Sequence, residues 1–446
     1  MEVAMLANSS VTARPASYRI IVPLWALILC VALQAHAGGL GRPNIFGAPA
    51  VGMGGAFAPV ADDPTAIWHN PAGISLIPET SFLLDAGLLF SQRSYEPLGC
   101  DFTAPHLPPC AEGVTTRRTE KEMLSPTLFP GVAFSTRFGG KGGDGATRLA
   151  VGFATFVSHG MAAYFSEKLS MKDRPGVRSL RVHLLEIVPA VAYQASDVMA
   201  VGAGLRIGVG MFGLNAPLLH DSGISDPVKV ATTGVSAGVS LGILLRPLRS
   251  LDVAFVYQSA LNVPTSGDID IESGSPMHAS VDVKLPFPQQ VFLGVGYRPI
   301  RPLRLAAQVD FTNSRSFDRF KMEYASTSTE LYLDLNDTWT VHVGGEYRIG
   351  ENMVARLGYA FETRLVPMQT AERYLVDGLK HTVAGGFGYA ITREIRIDAA
   401  LEYLFIAPER RVPMSLPEAP ELLRHVAPGI YRGGAYQALV TAQYRY

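Results

Sequence analysis

Charge and cysteine are scarce in this sequence. Only 17% of its 446 residues are charged, the formal net charge is -1, and there are three cysteines. Binding to nucleic-acid phosphates requires a concentrated positive field, so the sequence predicts no nucleic-acid partner. Catalytic motifs are scarce as well, because the paired glycines lack the Lys-Ser/Thr of a phosphate loop and the ten histidines lack metal-ligand spacing. We therefore expect no enzyme activity, no cofactor and no metal site.

Long hydrophobic runs are absent after residue 37. The chain is 48% hydrophobic, yet no uninterrupted apolar run approaches the ~20 residues that a membrane helix requires. Alternating strands explain this combination, because each strand hides half of its hydrophobicity from a sliding-window scan. The composition therefore indicates β-strands rather than membrane helices.

Residues 1–37 have the pattern of a signal peptide. Arg14 and Arg19 precede the apolar stretch 20–33, and Ala35 and Ala37 are small residues at the positions that a signal peptidase reads. The predicted mature chain therefore begins at Gly38 and is exported.

Two cysteines, Cys100 and Cys110, remain in the predicted mature chain. An exported chain meets an oxidising compartment, where an even pair usually closes a disulfide. A metal site is the alternative, but Asp101 and His106 are few ligands for it. We therefore predict a disulfide between Cys100 and Cys110.

The last residues, 436–446, show a strand pattern. Apolar side chains occupy every second position, and polar side chains fill most positions between them. The apolar positions are Tyr436, Ala438, Val440, Ala442, Tyr444 and Tyr446, and the polar ones are Gln437, Thr441, Gln443 and Arg445. A period of two predicts a strand, and an apolar face tipped with aromatic residues suits the lipid-facing side of an outer-membrane barrel. A soluble edge strand has the same pattern, so one strand does not decide between the two.

From residue 81 onward the alternating pattern repeats in segments separated by strand-breaking residues. The lengths of the connections between these segments distinguish a membrane barrel from a soluble fold. Short connections lie near 139–145, 196–197, 246–250, 298–302, 350–352 and 392–394. Long ones lie near 97–124, 161–177, 214–227, 264–277, 314–335, 366–378 and 407–429. Short connections on one side and long ones on the other are the arrangement of bacterial barrels, and here they separate about fourteen strands. The predicted fold is therefore all-β, a transmembrane antiparallel β-barrel over residues 79–446.

Some side chains on the polar faces of these strands are apolar. Val256, Phe292, Val354 and Leu404 point to the polar side. A water-filled porin tolerates few such residues, whereas a passage for hydrophobic solutes uses them. Residues 184–187 break the alternation, which requires a bulge or a partly apolar lumen.

The segment 38–78 shows no strand periodicity and contains one predicted short helix, with Asp63 as N-cap, Pro64 as its first residue and an end before Pro71. It carries Gly-Gly-Ala at 54–56, Ala-Asp-Asp-Pro at 61–64 and Asn-Pro-Ala-Gly at 70–73. These blocks, soon after a signal peptide, resemble the hatch of the long-chain fatty acid transporters of Gram-negative outer membranes, the FadL and TodX group. The blocks 285–299 and 356–359 are similar to that family as well.

The resemblance implies a barrel of about fourteen strands plugged by residues 38–78, which we call the hatch. It implies a hydrophobic small molecule as ligand, a fatty acid or an aromatic hydrocarbon, that enters from outside and sits in an apolar lumen pocket. Release is expected after the hatch shifts, through a lateral opening beside a kinked third strand at about 147–160. Asn70, Pro71 and Ala72 would be the hatch residues nearest this gate, while the ligand-binding residues stay unassigned.

Two groups of lumen residues keep alternative interpretations. Arginines on lumen faces could bind a carboxylate ligand or pair with acidic side chains. The arginines are Arg148, Arg206, Arg304, Arg348, Arg356 and Arg396, and the acidic side chains are Asp310, Glu346, Asp398 and Glu402. Ser158 and His159 are adjacent, but nothing around them marks a nucleophile. The histidines are therefore interpreted as polar groups of the loops or the lumen.

The predicted function is passive uptake of long-chain fatty acids or similar hydrophobic compounds through a hatch-gated barrel in the lipid of a Gram-negative outer membrane. The alternative is a structural or adhesive surface protein that uses the barrel as a scaffold for its loops. A third possibility, a barrel lipase, lacks a recognisable pairing of serine and histidine. Binding of a hydrophobic ligand in the lumen distinguishes the first function from the second.

Overall fold

We describe the chain from a computed structural model. It describes residues 45–97, 120–121, 126–138, 148–164, 179–219, 225–272, 276–316, 319–325, 327–332, 334–367, 377–412 and 429–446. The predicted signal peptide, the first residues of the predicted hatch and the predicted disulfide between Cys100 and Cys110 lie outside these residues. No helix in the described ranges is long and apolar enough to span a membrane.

The described residues form one sheet of twenty strands and a few short helices. The strands are β1 (Ser81–Pro97), β2 (Glu120–Lys121), β3 (Thr127–Arg137), β4 (Leu149–Tyr164), β5 (Ser179–Gln194), β6 (Met199–Leu219), β7 (Ser225–Leu248), β8 (Leu251–Gln258), β9 (Leu261–Ile271), β10 (Met277–Phe287), β11 (Gln290–Ile300), β12 (Leu303–Thr312), β13 (Arg319–Tyr324), β14 (Thr327–Tyr332), β15 (Thr338–Ile349), β16 (Met353–Glu362), β17 (Lys380–Ala390), β18 (Ile395–Ile406), β19 (Arg410–Val412) and β20 (Gly429–Arg445). The helices are α1 (Ala48–Gly52), α2 (Ala66–His69) and two 3₁₀ helices (Pro71–Leu76 and Ser314–Ser316).

The sheet closes on itself as an antiparallel barrel. β1 pairs with β20 along its whole length, from Ser81 opposite Arg445 to Pro97 opposite Gly429. Some labelled strands are successive parts of one longer wall strand. β8 and β9, for example, both pair with β7. Counted in this way the wall has 14 strands, which confirms the predicted fold. The pairing of β1 with β20 removes the two free edges that an open sheet would have, as a lipid environment demands.

One end of the barrel carries the short turns. The predicted connections 196–197, 246–250, 298–302, 350–352 and 392–394 each join two consecutive strands there. We call this side the turn end. The first residue of β1, Ser81, and the last residue of β20, Arg445, lie there as well. The opposite side is the loop end.

The wall is apolar outside and polar inside over its turn-end half. Leu357 and Leu401 are 69% and 68% exposed, whereas Asp252 and Thr441 are 2% and 1% exposed. A soluble protein has the opposite arrangement, so the exposed apolar face is the one that contacts lipid. The predicted inward apolar residues Val256, Phe292 and Val354 are buried, and Leu404 is half-buried.

Towards the loop end this polarity is reversed. β9 buries Leu261, Val263 and Ile269 inside and exposes Asp268 and Asp270 outside. The reversal comes from a break between β8 and β9, because buried positions are even-numbered in β8 and odd-numbered in β9. A matching break separates β11 from β10.

The prediction of a long connection at 264–277 is wrong. Most of it is β9, which pairs with both β7 and β10. The reason is physical: beyond the lipid a strand hides its apolar face inside and exposes its polar face to water. A search for lipid-facing alternation therefore stops before the strand does.

Replacing Leu401 by arginine tests the lipid-facing assignment. Leu401 lies outward near the middle of β18, so the arginine would face hydrocarbon. We expect the free energy of unfolding in lipid vesicles, measured by denaturant titration, to fall by about 2–4 kcal/mol. Arginine at Tyr446, which is 86% exposed at the turn end, is the control and should lower it by about 0–1 kcal/mol. Equal stability of the Leu401→Arg variant and the wild type would contradict the assignment.

Candidate functional site: the hatch and the lumen above it

The hatch is built from turns fixed by its own polar side chains. Asp63 Oδ1 accepts bonds from the Thr65 amide at 2.8 Å and the Thr65 hydroxyl at 2.5 Å. α2 begins at Ala66, two residues later than predicted, and ends before Pro71 as predicted. Burial raises the pKa of Asp63 to about 6, because a charged carboxylate loses hydration there. The turn thus places a carboxyl group in the interior of the protein.

Asn70 links the two halves of the hatch to the wall. Its side-chain oxygen accepts a bond from the Ala72 amide at 3.2 Å and so caps the 3₁₀ helix. Its Nδ2 donates to the carbonyls of Ala58 at 3.3 Å and Ile243 at 3.2 Å, the latter on β7. One fully buried amide therefore holds a hatch turn, a hatch helix and a barrel strand together.

A second link inside the hatch comes from His69. Burial lowers the pKa of His69 to about 4, so its ring is neutral at neutral pH. The Nε2 of this ring lies 2.8 Å from the carbonyl oxygen of Phe46. Because a carbonyl can only accept, Nε2 carries the proton and donates it.

Glycines in the wall let the hatch approach to backbone contact. A Cβ at Gly202 of β6 would lie 2.3 Å from the carbonyl carbon of Pro71, and one at Gly358 of β16 would lie 2.1 Å from the amide nitrogen of Gly54. No side chain fits at such distances. The hatch therefore contacts the wall at two places, on β6 in the first half of the chain and on β16 in the second half.

Asn70, Pro71 and Ala72, predicted as the hatch residues nearest the gate, lie against Gly202 of β6 and Gly242 of β7. The hatch residues with ring contacts to β4 are Phe46, whose ring centroid lies 4.8 Å from that of Phe156, and Trp68, at 6.3 Å. The hatch thus meets the third strand of the wall through aromatic rings.

Ion pairs occupy the lumen on the turn-end side of the hatch. Asp62 of the hatch lies 2.7 Å from Arg304 of β12. From there the charges continue along the wall in close pairs: Arg304 with Glu346, Arg356 with Glu346, Arg356 with Asp398, and Arg396 with Asp398. These arginines are held by carboxylates of the protein itself, which favours the paired interpretation over the ligand-binding one. Of the other arginines considered, Arg148 pairs with Asp197 near the turn end and Arg348 is exposed.

β4 leaves the plane of the wall after Phe156. Its pairing with β3 ends at Gly131 opposite Phe156, although β3 begins earlier, at residue 127. Its pairing with β5 shifts register between Val157 and His159, so Ser158 is the extra residue of a bulge.

Contacts beyond the bulge show the direction of the bend. Val157 packs against Leu89 of β1 and Phe129 of β3, both on the inner side of the wall. Arg93 of β1 donates to the Ala162 carbonyl at 2.9 Å, although β3 lies between β1 and β4 in the sheet. The loop-end part of β4 is therefore bent into the lumen and leaves the wall unpaired between β3 and β4 within the described strands.

An apolar lining fills the lumen on the loop-end side of the hatch. Its members include Leu184, Phe212, Leu261, Leu285, Phe287 and Phe320, from β5, β6, β9, β10 and β13. The breaks turn the apolar side chains of β9 and β10 inward, whereas Leu184 and Phe212 follow the even-numbered inward positions of β5 and β6. The lining borders the bent part of β4, since His159 lies opposite Leu184 in the register and its ring centroid is 5.4 Å from that of Phe287.

A buried polar cluster interrupts this lining beside the bulge. Arg206 binds Glu186 through two bonds, Nε to Oε2 at 2.6 Å and Nη2 to Oε1 at 2.7 Å. Its Nη1 donates to the carbonyl of Ser259 at 2.7 Å, in the break between β8 and β9. Ser158 and His159 lie on the other side of Glu186, on β4. Sequence reasoning missed this cluster, and its signal was the broken alternation at 184–187.

Gly202→Ala tests the seating of the hatch. The added methyl group would overlap Pro71, so the hatch must move. With Trp339 replaced by phenylalanine, Trp68 is the fluorescent reporter in the predicted mature chain, and we expect aqueous quenchers to reach it more readily. Gly385→Ala, whose nearest neighbour would be an atom of Arg356 at 3.9 Å, should leave quenching unchanged. Identical quenching of both variants would show that the contact at Gly202 does not hold the hatch.

Comparison with known proteins supports the architecture. Solved structures with the same fold include a FadL homologue of Pseudomonas aeruginosa (TM-score 0.76, 17% identity, 92% of this chain and 99% of that chain covered). The toluene transporter TbuX of Ralstonia pickettii is similar as well (TM-score 0.68, 18% identity, 90% of this chain and 98% of that chain covered). So is the toluene transporter TodX of Pseudomonas putida (TM-score 0.68, 15% identity, 92% of this chain and 100% of that chain covered). No curated protein sequence matches. The family model described as outer membrane protein transport protein (OMPP1/FadL/TodX) matches residues 28–413, so the chain belongs to this family of outer-membrane β-barrels.

Proposed function

We propose that the protein carries a hydrophobic small molecule passively from the outside into the barrel, holds it in the apolar lining and releases it beside β4. The observation that carries this proposal is the polarity reversal, which places an apolar lining in the lumen above a closed hatch. Its family is one of transporters of hydrophobic compounds rather than of enzymes. The ligands to test are aromatic hydrocarbons such as toluene, which is named for a relative, and fatty acids, which the family carries.

The driving force is the transfer of apolar surface out of water. Each buried CH₂ group contributes about 0.8 kcal/mol, so a chain of several carbons partitions into the lining without any energy source. The lining lies on the loop-end side, which faces outward in bacterial barrels because their short turns are periplasmic. A ligand therefore meets the apolar lining before it meets the hatch.

The hatch blocks straight passage along the barrel axis. On the turn-end side of the hatch, the lumen contains the ion pairs of Asp62, Arg304, Glu346, Arg356 and Asp398. An uncharged hydrocarbon passing there would displace these charged groups from their partners. The wall is unpaired between β3 and β4 near the lining. Lateral release into lipid keeps a hydrophobic ligand in an apolar environment throughout, which supports this route over the axial one.

Binding to the purified protein in detergent is the first experiment. We expect saturable binding of a labelled long-chain fatty acid or of an aromatic hydrocarbon, with displacement by unlabelled ligand and none by a sugar. Displacement by hydrocarbon alone would assign the aromatic class. Absence of saturable binding for both ligands would contradict the proposal and favour a surface scaffold.

Deleting Ser158 tests the lateral route. Without the extra residue β4 keeps one register with β5, so it can return to the wall and pair with β3 at residues 127–130. We expect uptake by cells to fall strongly while ligand binding in detergent persists. Ser158→Ala keeps the extra residue and is the matched control, with uptake of an aromatic hydrocarbon retained. Full uptake by the deletion variant would rule out release beside β4.

A further inference from the structure

We propose that His159 is a recognition group for a hydroxyl on the ligand, and that the protein prefers hydrophobic alcohols or phenols to hydrocarbons of the same shape. This inference rests on the proposed function, because it assigns a substrate class to the apolar lining. It starts from the hydrogen bonds that join three neighbouring groups: the Leu184 carbonyl, the Ser158 hydroxyl and the His159 ring.

The hydrogen bonds around Ser158 fix which ring nitrogen of His159 carries the proton. The Ser158 hydroxyl has two acceptors near it, the Glu186 carboxylate and the Leu184 carbonyl at 3.4 Å, and it donates its proton to one of them because both can only accept. Since this uses the one hydroxyl proton, the contact of 3.2 Å between Ser158 Oγ and His159 Nδ1 must run from Nδ1–H to Oγ. In a neutral imidazole Nε2 is then a bare acceptor.

The ring of His159 is neutral because the nearby charges already balance. Glu186 is bound by two hydrogen bonds from Arg206, so its carboxylate charge is compensated. A proton added to His159 would place an unpaired positive charge in a site where the ring is 2% exposed, which is strongly unfavourable.

The Nε2 of His159 has no hydrogen-bond partner among the described residues, and the atom is buried. A buried acceptor without a partner lowers the stability of the fold, and such a group calls for an explanation. The ring faces Phe287 of the apolar lining. A ligand that reaches this ring therefore meets a polar atom without a partner among the described residues, and in the neutral ring that atom can only accept a hydrogen bond.

A hydroxyl group is the ligand chemistry that satisfies this site. Alcohols and phenols donate one hydrogen bond and stay uncharged, so they lose little on entering an apolar site. A carboxylate has no proton to donate, and two acceptors would face each other close to Glu186. The ionised form of a fatty acid is therefore disfavoured at this position.

The experiment compares ligands of similar size in two pairs: the first exchanges a hydroxyl for a methyl group, and the second exchanges a hydroxyl for a carboxylate. Displacement of a hydrophobic fluorescent probe from the full-length protein in detergent is measured with p-cresol against p-xylene, and with 1-dodecanol against dodecanoate at neutral pH. We expect the wild type to prefer the hydroxyl compound of each pair by about three- to tenfold, the usual worth of one hydrogen bond.

Two variants assign the preference to Nε2. His159→Phe keeps an aromatic ring without an acceptor, and it should remove the preference for p-cresol while p-xylene binds at least as well as before. His159→Gln supplies an amide oxygen as acceptor and should retain part of the preference. Binding of p-xylene shows that either variant is folded, and a variant that fails to bind it is replaced in the comparison by the other.

The outcomes separate this inference from the proposed function. If the wild type binds both members of each pair equally, or if His159→Phe keeps the preference, recognition by His159 is overturned while transport of hydrophobic compounds stands. If none of the four compounds displaces the probe from the wild type, both the proposed function and the inference fail.

Discussion

The alternation of side chains between the two faces of a closed wall is the constraint on which the rest of this structure depends. In the turn-end half the outer face must be apolar because it contacts lipid, so the inner face holds the polar residues. In the loop-end half water lies outside, and the apolar face turns inward. The same strands therefore carry both a polar lumen with the hatch and an apolar lumen above it. The breaks between β8 and β9 and between β10 and β11 are where one arrangement changes to the other.

The hatch fits this division. It lies between a network of ion pairs and an apolar lining, and its own residues match each side. Asp62 faces Arg304, while Phe46 and Trp68 form aromatic contacts with Phe156 of β4. The hatch contacts the wall through backbone at Gly202 and Gly358, so it is held to the wall on both β6 and β16.

The sequence was informative where physics imposes a pattern on many residues. Lipid contact forces alternation on every strand, so the barrel, its strand number and its short turns could be predicted, and the inward positions of Val256 and Phe292 with them. The bulge at Ser158 could not, because one extra residue changes no composition. The pair of Glu186 and Arg206 was hidden for a related reason: their contact joins two strands, and only the broken alternation near Leu184 marked it. Asn70 was singled out by resemblance, but its bond to Ile243 required the folded chain.

The break between β8 and β9 limits how this protein can change its length. Ser240 pairs with Gln258 and Gly234 pairs with Thr265, so β8 and β9 together carry one residue more than β7 over this span. Loss of that residue would turn Leu261 and Val263 outward into water and bring the aspartates of β9 into the lumen. A single deletion here would therefore do more damage than many substitutions, whereas the loop end can gain or lose whole segments. Insertions and deletions among natural variants of this chain should accumulate beyond the strands and avoid this one position within the wall.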